Sequence, residues 1–201
     1  MARVPINNYF AVFVLVIGVR KLACNNADDT EEEDPEIDIE TFGSRNQLLD
    51  SMFNDSLVLA EYLFARSEEL CEKLIDDEIY RNETGEELES RDAVVKNCRR
   101  RVVERLDPTG RRYGNSAETL LLKYGFANIQ KMVQQKYEEF FTEIVQRMDD
   151  YVKGLTPEQQ TRTTARNLRK WSGKIKDAPT VSMKDMFFRS CMRFYYFERG
   201  V

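Results

Sequence analysis

Apolar positions in this chain recur every three or four residues over most of its length, the spacing that lines up one face of an α-helix. From about Ser44 to Tyr80 the stripe runs Phe53, Leu57, Ala60, Phe64, Ser67, Cys71 and Leu74, widened by Leu63 and Leu70. Asn82-Glu-Thr-Gly85 supplies a turn, and a second helix from about Glu86 to Leu106 keeps Leu88, Val95, Cys98, Val102 and Leu106 on one side. Asp107-Pro-Thr-Gly110 ends it, because Pro108 cannot continue a helix and Gly110 favours a turn.

The clearest periodicity follows. Phe126, Ile129, Val133, Tyr137, Phe140, Ile144, Met148, Tyr151 and Leu155 recur with a mean step of about 3.6, behind a cap at Asn115 or Ser116. An unbroken helix from Ser116 to Gly154 would reach about 58 Å at 1.5 Å per residue. A compact domain of this size has a radius of gyration of about 16 Å, so a break is expected, at Gly125. Thr156-Pro-Glu-Gln159 reads as a helix start, with threonine as N-cap, proline at N1 and glutamine at N3, opening a short helix to about Trp171. A last helix is expected from about Ser182, with Asp185 completing a capping-box-like pair. No alternating strand pattern of useful length occurs. The fold expected for residues 45–201 is all-α, one disulfide-stapled bundle of about five helices.

Two segments stand before it. Tyr9 to Val19 is an unbroken apolar run of 11 residues behind Arg3. A membrane-spanning helix needs about 17–25, so residues 1–24 read as a secretory signal peptide, cut after Cys24 or after Gly18, with an uncleaved signal anchor as the alternative. Residues 25–44 carry nine acids and no base, are interrupted by Pro35 and show no helical spacing; they read as a disordered acidic tail. The expected location is extracellular, without a transmembrane span. Asn54-Asp-Ser56 and Asn82-Glu-Thr84 are N-glycosylation sequons consistent with it.

Composition narrows the chemistry. Apolar residues make up 42% of the chain, enough for a core, and 9 Gly and 5 Pro are too few for a turn-rich barrel. The count that excludes most is zero histidine, which removes Ser-His-Asp and Cys-His catalysis, the usual zinc sites and a histidine pH switch. No carboxylate or lysine spacing marks a catalytic site, so no enzyme, cofactor or metal is expected. Net charge is −5, yet residues 41–201 hold 27 bases and 26 acids, so the excess lies in the tail and the chain is not a general nucleic-acid binder.

Cys71 and Cys98 stand almost equidistant from the turn near residues 84 and 85, on the apolar stripes of successive helices. An antiparallel pair brings them to one height, and a disulfide there closes a loop of about 28 residues. Cys191 is left either for Cys24 or, if Cys24 leaves with the signal, as an odd cysteine that suggests a disulfide-linked dimer.

Four features bear on function. The last helix, Met183 to Phe197, is apolar nearly all round, with Asp185, Arg189 and Arg193 as its only clean polar stripe; it is either a central core helix, a partner face or the wall of a ligand pocket. Arg162, Arg166, Arg169, Lys170, Lys174 and Lys176 surround Trp171 with no acid among them, a patch suited to sulfated glycan, an anionic surface or an acidic protein, or to the chain's own tail. Glu31 to Phe42 resembles the acidic-hydrophobic peptides that some secreted inhibitors lay on a protease exosite. Arg99-Arg-Arg101 and Gly110-Arg-Arg112 resemble prohormone processing sites, although the first lies within a helix. The expected function is a secreted, non-enzymatic helical protein acting on an extracellular protein partner as a signal, inhibitor or host or immune modulator. The alternative is an extracellular carrier of small hydrophobic ligands or lipids in the bundle. In outline it is similar to helical cytokines and hormones.

Overall fold

The computed structural model describes residues 39–78, 80, 90–111, 113 and 119–196. The signal-peptide segment, residues 25–38 of the acidic tail and Asn82 lie outside the described residues. Six α-helices and one 3-10 turn carry the fold, with no strand among the described residues: α1 Ile39–Leu74, α2 Arg91–Leu106, α3 Thr119–Lys123, α4 Phe126–Gly154, the 3-10 turn Gln159–Thr161, α5 Thr163–Asp177 and α6 Val181–Tyr196. The all-α reading holds.

The longest helix begins earlier than its stripe suggests. α1 starts at Ile39 rather than Ser44, because Thr41 is buried and its carbonyl accepts from the Tyr151 hydroxyl at 3.2 Å. Arg45, also buried, lies under two rings, 4.7 Å from the Phe42 centroid and 5.3 Å from that of Tyr195. The other end stops at Leu74, short of Tyr80. Asp77 is withdrawn there to accept from Lys123 Nζ at 2.8 Å and from the Tyr124 hydroxyl at 2.7 Å. Two acids at positions 76 and 77 also oppose the negative end of the helix dipole.

α1 and α2 form an antiparallel pair closed by the disulfide Cys71–Cys98, with Cα atoms 5.8 Å apart and both residues buried. Ion pairs Glu68–Arg99 at 3.2 Å and Asp76–Arg91 at 2.8 Å lie on either side of it, in the order an antiparallel register requires. Ser90 caps α2, its hydroxyl accepting from the Ala93 amide at 3.3 Å.

Gly125 breaks the third periodic segment as expected. It separates α3 from α4 with φ +89°, a left-handed conformation that costs L-residues with a side chain free energy. Length is not the reason for the break, since α1 runs unbroken for 36 residues, about 54 Å. α4 is the element on which α1, α2, α3, α5 and α6 all pack. Its buried side, including Phe126, Ile129, Val133, Tyr137, Phe140, Ile144 and Met148, follows the sequence periodicity.

The reciprocal bonds of the box at Thr156 and Gln159 form, from Thr156 N to Gln159 Oε1 at 3.1 Å and from Gln159 N to Thr156 Oγ1 at 3.3 Å. They open only the 3-10 turn, because Arg162 is extended, with ψ 158°, and α5 starts after it. α6 is capped by Thr180, whose Oγ1 accepts from the Met183 amide at 3.2 Å. The expected pair of Ser182 and Asp185 does not form. Ser182 Oγ donates to the Thr109 carbonyl at 3.3 Å, while Asp185 pairs with Arg189.

Candidate functional site

α5 takes its orientation from Thr164, Ala165, Leu168, Ser172 and Ile175, which are buried at steps of three and four. Ser172 Oγ donates to Asp149 Oδ1 at 2.6 Å and ties this side to α4. By helical geometry Arg166, Lys170 and Lys174 then fall on the opposite side, with Arg169 and Lys176 along its edge and Arg162 at the N-cap. The structure therefore gathers the predicted patch on one helix.

Its members differ in what holds them. Arg162 pairs with Glu158 at 3.1 Å and with Glu40 at 3.6 Å. Arg166 donates to Thr163 Oγ1 at 3.2 Å. Arg169 donates to the Gln160 carbonyl at 2.7 Å and to Gln160 Oε1 at 3.1 Å, both neutral acceptors, so its guanidinium is fixed and its charge is not offset. Lys170 and Lys176 are exposed and pair with no acid among the described residues. Trp171 is half-buried against Phe194, ring centroids 6.1 Å apart. Lys174 Nζ lies 4.9 Å from the Trp171 centroid and 6.0 Å from that of Phe187, which joins the cationic helix to its neighbour.

That neighbour, α6, divides its apolar residues between two sides. Phe188, Cys191, Met192 and Tyr195 are buried, and Phe188 sits edge-on to Phe140 and Phe141, with centroids 5.4 and 6.3 Å away. Met183 and Met186 are 38% and 50% exposed, and Phe187 and Phe194 are half-buried beside Trp171. α6 is thus both a core helix and an open apolar face. The Phe188 ring on its inner side packs on other rings.

The polar stripe of α6 is not its solvent side. Asp185 Oδ2 accepts from Arg189 Nε at 2.6 Å, and Asp107 and Tyr137 face the same pair. Burial pushes the Asp185 carboxyl above its usual range, and Asp107 adds to this, against the opposing pull of Arg189. Burial likewise raises the Tyr137 phenol. Asp107 is further occupied by the Thr109 amide at 2.9 Å and the Thr109 hydroxyl at 2.7 Å. Two carboxylates thus share one guanidinium. Sequence spacing missed this cluster because its members come from three separate segments. The step of four between Asp185 and Arg189 was its sole visible sign.

Two expectations about modification meet the structure differently. Asn54 is exposed, on the outward side of α1, while Ser56 of its sequon is half-buried with its hydroxyl donating to the Phe53 carbonyl at 2.6 Å. Cys191 is fully buried as a free thiol, and burial pushes its pKa up to about 12. A disulfide-linked dimer through Cys191 would require α6 to leave the core, and Cys24, the other partner expected for it, lies outside the described residues.

Among the described residues no group of three or more His, Cys, Asp or Glu is placed to hold a metal ion, and no helix is long and apolar enough to cross a membrane. No protein-family model matches the chain, and no match to it is found among the curated proteins or the solved structures.

Proposed function

We propose that this is a secreted, non-enzymatic helical protein that acts by binding an extracellular protein partner, and that the outer side of α6 is its contact surface. The observation that carries the reading is the apolar exposure there. Met183 and Met186 stand open beside half-buried Phe187, Phe194 and Trp171, with Lys174 at the border. Apolar side chains gathered on one face gain free energy when a partner covers them, and flexible methionines adapt to such a surface. Aromatic and methionine side chains are enriched at the centres of protein interfaces.

Expression of the full chain in a eukaryotic cell tests the address. Recovery from the medium, shortened at its N-terminus and carrying N-glycan at Asn54 or Asn82, supports it; retention in the cell at full length refutes it. The contact surface is tested with labelled protein on intact cells. Saturable binding that protease treatment of the cells abolishes, and that Met186→Glu weakens at least about tenfold, is expected. Saturable binding indifferent to Met183→Glu/Met186→Glu would refute α6 as the surface.

A further inference from the structure

The cationic side of α5 carries a second inference, beside the α6 surface and meeting it at Lys174. Arg162 to Lys176 covers about 21 Å along the helix axis, and within that stretch there is no acid. Near its C-terminal end lies Gly173. On a helix surface the neighbours of any position are those three and four residues away. For Gly173 these are Arg169 and Lys170 on one side, and Lys176 and Asp177 on the other. A Cβ placed on Gly173 would meet nothing within 4 Å. The band therefore has an open notch floored by backbone, with Lys170, Lys176 and Asp177 as its neighbours, while the Arg169 guanidinium reaches away from it to Gln160.

We propose that this band is a binding site for linear sulfated glycan, with a sulfate group seated in the notch at Gly173. Three observations favour that occupant. The cations form a track along one helix rather than a broad plane, which suits an extended polyanion. Arg169 is held in place by neutral acceptors on Gln160, so a strongly charged donor is presented with little loss of side-chain freedom on binding. Trp171 is engaged with Phe194 and under Lys174, which leaves it unsuited to act as an anchor in a lipid surface. Lys170 and Lys176 are exposed, so the attraction is to be strongly salt-dependent.

The inference rests on the proposed secretion only in that sulfated glycan lies outside the cell. The probe is a heparin oligosaccharide with purified full-length protein, so the result does not depend on secretion or on a protein partner. Binding by titration calorimetry at about 0.15 M salt is expected, weakening steeply as salt rises. Lys170→Gln/Lys176→Gln is expected to lower the affinity about fivefold or more, from the loss of two exposed charge contacts. Gly173→Gln, which fills the notch without altering charge, should also weaken binding, and Met186→Glu on α6 should do so less than the lysine pair. Helical circular dichroism of each variant establishes that it is folded. Absence of heparin binding, equal affinity in the lysine variant or in Gly173→Gln, or equally tight binding of polyglutamate or of anionic phospholipid vesicles would each overturn the proposal.

Discussion

Replacing Cys71 and Cys98 together by alanine removes the covalent link between α1 and α2 and leaves their contact surface otherwise in place. The two residues are 27 apart in sequence, so the bond closes a loop of about 28 residues in the unfolded chain. Chain-entropy reasoning gives about 3–4 kcal/mol for a loop of that length. Both sulfurs lie in the core, so their loss also leaves a small void, and the total falls at or above this range. The exposed pairs Glu68–Arg99 and Asp76–Arg91 do not substitute for it, because solvent-screened pairs between long side chains contribute little. For a domain of this size each kcal/mol moves the melting temperature by about 2–4 °C, so a fall of about 6–16 °C or more is expected.

The assay is thermal unfolding followed by far-ultraviolet circular dichroism without reductant. Reductant should lower the wild-type midpoint by a similar amount and leave the double variant unchanged. A shift below about 2 °C, with a wild-type midpoint indifferent to reductant, would refute the reasoning. It would mean either that the thiols are not joined or that the unfolded loop is already restricted by other means.

Three further outcomes follow from named geometry. Gly125→Ala places a side chain at φ +89° and should cost about 1–2 kcal/mol in denaturant unfolding, whereas Gly173→Ala, inside α5 with open space at its Cβ, should gain up to about 1 kcal/mol; equal effects would remove the conformational argument. Cys191, buried with its pKa near 12, should resist alkylation in native protein at about pH 8 and react at once in denaturant, and rapid native labelling would show that α6 opens readily. Asp185 has a raised folded-state pKa, so the folded form holds this proton more tightly than the unfolded one, and ionised Asp185 lowers stability at neutral pH. Wild-type stability relative to Asp185→Asn should therefore improve as pH falls from about 7 through the folded pKa towards the ordinary carboxylate value near 4. A relative loss on acidification would mean that the pair with Arg189 dominates instead.

How far these features could be read from the chain depends on the distance over which each is determined. The Cys71–Cys98 height match needs only a turn and two regular helices, and the break at Gly125 needs only one residue's conformational freedom, so both were legible. The start of α1 was not. It depends on Tyr151 reaching Thr41, 110 residues away in sequence, and on Tyr195 covering Arg45. The rotation of α6 was equally hidden, because a polar stripe on a helix otherwise apolar nearly all round is expected to face solvent, and Asp185 and Arg189 instead face Asp107 and Tyr137. Phe140 and Phe141 receive Phe188, and Asp107 and Tyr137 receive Asp185 and Arg189, and these contacts choose which methionines remain outside. The cationic band of α5 is the opposite case. Neighbours at three and four residues are fixed by the helix itself, so Lys170 and Lys176 beside Gly173 follow from spacing once this stretch of chain is helical. A surface built within one helix is thus readable from sequence, while one exposed by the packing of its neighbours is not; of the two proposed here, α5 is the first kind and α6 the second.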